Sequence, residues 1–145
     1  MKKIKSENLD KEIELTVGEL ISLYEPLVEI TSFDLDMKAK YRLVRCLNKV
    51  MSEKKVFEKL RLDLFKKHGV INSNGGFDIP PDDLEKVELV SRSVAELREA
   101  PVKILFYRVN LSSLLKDISG KDISINGFTL AKLQDIIVND TDFLS

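Results

Sequence analysis

Between Asp36 and Gly69 the chain runs for some nine helical turns without a glycine or proline inside it, in a composition dominated by Leu, Lys, Glu, Arg and Met. Residues of that kind lose little freedom in a helix. The stretch predicts one helix of about 48 Å at ~1.5 Å per residue. Asp36 is placed to cap its start, and Gly69 to end it in the left-handed conformation. At ~100° per residue, Leu43, Val44, Leu47, Val50 and Met51 gather on one side, and Lys38, Arg42, Arg45 and Lys49 form a stripe opposite. Leu47 and Val50 are therefore expected in the core, and the four cations in solvent. Further along, the apolar arc drifts to Phe57, Leu64 and Phe65, with Lys54 and Arg61 interrupting it. A strict heptad seam does not survive, which argues against a long coiled coil.

Ahead of this rod, residues 1–11 read as weakly ordered and Glu12–Leu15 as a short strand. Thr16 and Glu19 have capping-box spacing, and Val17, Leu20, Ile21, Tyr24, Leu27 and Val28 follow at helical intervals. Pro26 predicts a break near Tyr24–Glu25. Behind the rod, Asn74-Gly75-Gly76 between Val70-Ile71 and Phe77-Ile79 predicts a β-hairpin. Phe77 and Ile79 are expected to cover Phe65 and Leu84, or else to stand as an exposed patch. Asp82 and Glu85 repeat the capping spacing and open a helix over 82–99 that Pro101 closes. About eighteen residues span only ~27 Å. This helix therefore covers just the distal half of the rod, Met51 to Phe65, and two packing zones are expected. Val102–Val109 has strand composition and pairs with Glu12–Leu15. Short helices over 111–118 and 126–138 flank an extended 121–125, and 140–145 is an acidic tail. The fold class is mainly α with minor β. It is expected as a single domain over 1–145, with a long central helix, a hairpin and an antiparallel partner helix forming an arm over 36–99.

Composition sharpens the functional reading mainly by exclusion. Of 145 residues, 43% are apolar and 32% charged, with a net charge of −1. That balance argues against general nucleic-acid binding. Residues 34–68 nevertheless hold eleven Lys and Arg against five Asp and Glu. Acidic segments packed on a basic rod explain the asymmetry. The single cysteine, Cys46, excludes an intrachain disulfide, and a reducing cytosol fits it best. His68 is the only histidine, so no histidine cluster can bind metal within one chain. Cys46 and His68 stand ~33 Å apart along the predicted helix, too far for a nucleophile and its base. Gly75-Gly76 lacks the lysine and spacing of a phosphate loop. The carboxylate pairs Asp82/Asp83 and Asp140/Asp142 fall in caps and tails. No cofactor or metal is implied, and no enzyme is expected. The first residues lack the apolar stretch of a secretory signal, and no window nears the ~18 apolar residues of a membrane span.

Several stretches together resemble a known group. LTVGELISLY at 15–24, KAKYRLVRCLNKV at 38–50, FDIPPDDLEKV at 77–87, LSSLLKDI at 111–118 and ISINGFTLAKL at 123–133 resemble small proteins of uncharacterised function from tailed bacteriophages of Gram-positive bacteria. The likeness covers roughly 15–137 and departs where that family often has Pro in place of Asp36. It carries no catalytic residues. It implies a phage product made in the bacterial cytoplasm, accessory or virion-associated. The function expected first is a non-enzymatic interaction factor that binds or blocks a host or phage protein. Lys38, Arg42, Arg45 and Lys49 on the rod and Phe77 and Ile79 on the hairpin are the candidate contacts. A nucleic-acid-associated role for the stripe comes second, and a virion or assembly protein that self-associates comes third.

Overall fold

A computed structural model describes residues 9–139. The expected weak order of residues 1–8 and the acidic tail, with Asp140 and Asp142, lie outside the described residues. The chain is mainly helical, with one long helix and three two-stranded sheets among the described residues.

Strand β1, Asp10–Thr16, pairs antiparallel with β4, Pro101–Tyr107, in a register from Asp10 opposite Tyr107 to Thr16 opposite Pro101. Asp10 and Lys11 thus belong to a strand, not to a frayed terminus. Ile13 opposite Ile104 and Leu15 opposite Val102 turn toward the core, while Glu14 opposite Lys103 faces solvent as an opposite-charge pair. The strand runs straight into α1, Val17–Ile21. Thr16 Oγ1 accepts from the Glu19 amide at 3.1 Å and Glu19 accepts from the Thr16 amide at 3.0 Å, closing the capping box. The chain breaks at Ser22-Leu23 and resumes as α2, Tyr24–Thr31. The break falls just before Tyr24–Glu25 because Pro26 has no amide to give the Ser22 carbonyl, so it is accommodated in the first turn of a new helix.

Helix α3, Met37–His68, is unbroken over 32 residues, and Asp36 accepts from the amides of Lys38 and Ala39. Its buried seam is Ala39, Leu43, Cys46, Val50 and Phe57. That seam lies ~70° closer to the basic stripe than the apolar pattern implies. Val50 is buried as expected, but Leu47, Val44 and Met51 are only half-buried. The cause is β4, which packs on the stripe side and brings Phe106 into the same core. Leu20, Leu27, Ile30, Leu43, Phe106, Leu114, Leu133 and Ile136 are fully enclosed there.

Beyond Val50 this core stops. A hairpin of β2, Val70–Ile71, and β3, Phe77–Asp78, follows α3. Helix α4, Leu84–Glu99, begins one step later than Asp82 implies, because Asp83 is the residue whose carboxylate accepts from the Lys86 amide. Gly69 is not left-handed. Its φ of −100° and ψ of 178° are extended, a conformation open to any residue.

The C-terminal part departs most from the pattern. The 111–118 helix is only a 3-10 turn, Leu111–Leu114. Asp117 ends any continuation by accepting from the amides of Ser119 and Lys121, and Gly120 supplies a φ of +85° in that turn. Helix α5, Gly127–Lys132, starts from an Asn126 cap, and Thr129 donates to Glu29 of α2. It stops well short of 138. Ile137–Val138 instead form β6, parallel to β5, Val109–Asn110. β-Branched residues that are buried as they are here pack better on a pleated ladder than on a helix.

Candidate interaction site

The stripe on α3 is not a uniform solvated face. Lys38 is exposed, but Arg42 is half-buried, with its Nε donating to the Arg108 carbonyl at 2.7 Å and its guanidinium ion-paired to Asp10. Arg45 is exposed, as expected, yet lies 4.1 Å over the Tyr107 ring and donates to the hydroxyls of Tyr41 and Tyr107 at 3.1 and 2.9 Å. Lys49, also half-buried, stands 5.1 Å from the same ring. Three of the four cations therefore clamp α3 onto the β1–β4 sheet. The aromatic at the strand end and Asp10 across the register are the signals for this, and both are distant in sequence from the stripe. Arg42→Ala is expected to lower stability by about 1–3 kcal/mol, since a carbonyl and a carboxylate lose a charged donor. Lys38→Glu is expected to leave the melting temperature unchanged. Parallel thermal melts of the two variants check this.

Cys46 borders the clamp and is fully buried. Burial pushes its thiol up to about 11, against smaller downward effects from a hydrogen bond to the Tyr107 carbonyl and the nearby Arg42 and Lys49 charges. A thiol held neutral and enclosed is packing, not a nucleophile. Among the described residues, no group of three His, Cys, Asp or Glu side chains is placed to hold a metal ion, and no helix is long and apolar enough to cross a membrane.

The distal arm has the opposite character. From Lys54 to Arg98, a stretch containing most of α4 and the whole hairpin, the buried side chains are Phe57 and Val90. Phe65 lies with Val87 and Val90, and the Arg98 guanidinium stands 5.2 Å from the centre of the Phe57 ring. The hairpin is held by Asn72. Its side-chain oxygen accepts from the amides of Asn74 and Gly76, and its amide group donates to Asp78 at 3.1 Å. Gly75, at φ +81°, completes the turn. Held this way, β2 presents Val70 and Ile71 at 58% and 69% exposure, and Leu84, the first residue of α4, reaches 74%. Phe77 and Ile79 are half-buried. Ile79 joins Phe65 in a groove with Pro81 and Val87, but Leu84 turns outward and covers neither. The apolar surface of the tip is thus carried more by the first hairpin strand than by the expected second.

No protein-family profile matches the chain, and neither the curated proteins nor the solved structures compared with it give a match.

The flank of the arm carries the larger concavity. The groove at Phe65, Ile79, Pro81 and Val87 measures about 590 Å³. A second, of about 410 Å³, is lined by Arg61, Val94, Ala95 and Arg98. Both include Phe65, Val90 and Ser91, so they form one trough between α3 and α4. Two further hollows, of about 320 Å³ at Tyr24, Met51 and Lys54 and of about 420 Å³ at Glu25, Glu29, Phe128 and Lys132, lie away from the arm's trough.

Proposed function

We propose that the protein is a non-enzymatic interaction module that engages another protein through the end of its helical arm. In this reading residues 36–99 act as a unit, the long helix and its antiparallel partner joined by the hairpin. The observation that carries it is the exposed pair Val70 and Ile71 at the tip, on a hairpin whose turn Asn72 braces. Apolar anchors on a short rigid element, rimmed by charge, are how small modules bury a partner's surface. The resemblance of residues 15–137 to phage proteins supports a phage product that binds or blocks a host or phage protein in the bacterial cytoplasm. The nucleic-acid role of the stripe has less support, because Arg42, Arg45 and Lys49 are engaged by β1 and β4.

The test is copurification from phage-infected cells with tagged wild type and with Ile71→Asp. The variant is expected to melt like the wild type, since Ile71 has little packing to lose, and to release the partner. A partner retained equally by both, or none retained by the wild type, sinks the reading.

A further inference from the structure

The β1–β4 sheet is closed on one side only. At the two ends of one register, the Val17 amide donates to the Ala100 carbonyl at 2.9 Å and the Arg108 amide to the Leu9 carbonyl at 3.3 Å. The Thr16 amide goes instead to its own capping box, and the Tyr107 carbonyl accepts from the Cys46 thiol of α3. In an antiparallel ladder, residues that exchange bonds alternate with residues that turn away. The odd-numbered residues from Leu9 to Val17 therefore bond to β4, and Asp10, Glu12 and Glu14 aim their amides and carbonyls outward. The outer edge of β4 is closed by α3 at Tyr107. The outer edge of β1 has no such cover. The elements that pack substantially on β1 are β4 and the short α1 that continues it. Among the described residues, no hydrogen bond reaches the outward main-chain groups of Glu12 or Glu14.

An open edge is a template for another strand, and its side chains decide which strand it accepts. No proline and no bulge interrupts β1 over its seven residues. Its solvent face carries Asp10, Glu12 and Glu14, and its other face Lys11, Ile13 and Leu15. Asp10 is taken by Arg42, Glu14 has Lys103 across the ladder, and Glu12 has only Leu105. Both glutamates are exposed, while Ile13 and Leu15 are only half-buried on the core side. A second copy of β1 is refused. Two such strands running antiparallel about Glu12 would set Glu12 on Glu12 and Glu14 on Asp10, and like charges directly opposite are destabilising. We propose that β1 takes a third strand from another protein, an extended segment with Lys or Arg at alternate positions and apolar residues between them. Val102-Lys103-Ile104 of β4 already meets the inner edge in that pattern, with the cation beside Glu14 and the apolar residues beside Ile13 and Leu15. A strand of the same pattern on the outer edge sets its cations beside Glu12 and Glu14 and finishes the cover of Ile13 and Leu15.

This edge lies apart from the hairpin tip, and the two readings fail separately. The probe is an acetylated and amidated seven-residue peptide alternating lysine and valine, added to the full chain and followed by amide exchange. In the free protein the amides of Glu12 and Glu14 are expected to exchange fast and those of Ile13 and Leu15 slowly, as one open edge requires. Millimolar peptide is expected to slow Glu12 and Glu14 about tenfold or more and to leave Val70 and Ile71 unchanged. Glu12→Lys with Glu14→Lys is expected to keep the wild-type melt, to lose the lysine peptide and to bind its glutamate counterpart. Two further peptides, N-methylated at every lysine or at every valine, keep the charge and each block one edge of the added strand. One is expected to bind and the other to fail, because a strand offers β1 only one edge. Glu12 and Glu14 amides already protected in the free protein overturn the proposal, since the edge is then covered. It is overturned equally by peptide that leaves their exchange unchanged, or by equal binding of both N-methylated peptides, which is charge attraction without a strand.

Discussion

Phe106→Ala is expected to destabilise the protein by about 3–5 kcal/mol, as large buried aromatics do when truncated. Phe106 is completely enclosed and is the largest side chain so placed. It sits where β4 meets the seam of α3, so its loss opens a cavity in the core that joins the two elements. Typical domains have only ~5–15 kcal/mol of stability in total, so about a fifth or more is at stake. Urea titration followed by circular dichroism reads it: the midpoint should fall with little change in slope. Leu43→Ala should follow at about 2–5 kcal/mol, with Leu47→Ala costing less because Leu47 is already half in solvent. A Leu47 variant as damaging as the Leu43 variant would show that the helix is rolled the other way.

That roll marks the limit of what the residues disclose. The rod itself is legible because helix periodicity is local and nothing within Met37–His68 interrupts it. The caps at Thr16 and Asp36 are legible for the same reason, since each involves residues two or three apart. The direction in which α3 faces is not local. Arg42 looks like a surface residue until Asp10 and the Arg108 carbonyl, far away in the chain, are brought to it by the β1–β4 register. Long cationic side chains cover apolar surface while keeping their heads paired, so a basic stripe can border a core. The C-terminal Ile136-Ile137-Val138 fails for a related reason. A short apolar run has no period, and only the distant Val109 decides that it becomes a strand. At the tip, Phe77 and Ile79 are the conspicuous residues in the sequence, yet exposure falls on Val70 and Ile71. Which strand of so short a hairpin meets the helices depends on how α3 ends, and hence on Gly69.

Gly69→Ala is expected to cost about 1–3 kcal/mol and to spend its damage on the tip alone. The backbone angles there suit any residue, so the effect does not come from a forbidden conformation. It comes from space. A Cβ at position 69 would stand 2.5 Å from the Phe65 carbonyl oxygen and 2.7 Å from that of Asp78. Both neighbours are main chain, so no side chain can swing aside. One belongs to the last turn of α3, whose closing bond runs from the Gly69 amide to Phe65 at 2.8 Å, and the other to β3. The hairpin must therefore lift away from the helix end, and with it the surface presented by Val70 and Ile71. Hydrogen exchange separates this from a general loss of stability. Amides over 70–78 are expected to exchange faster in the variant, while those of the buried seam from Leu43 to Val50 keep their wild-type protection. Unchanged exchange at the tip would mean that the close approach at Gly69 is not what holds the hairpin. If exchange rises as expected and partner binding is lost with it, the orientation of the tip, and not merely its apolar content, is what the partner recognises.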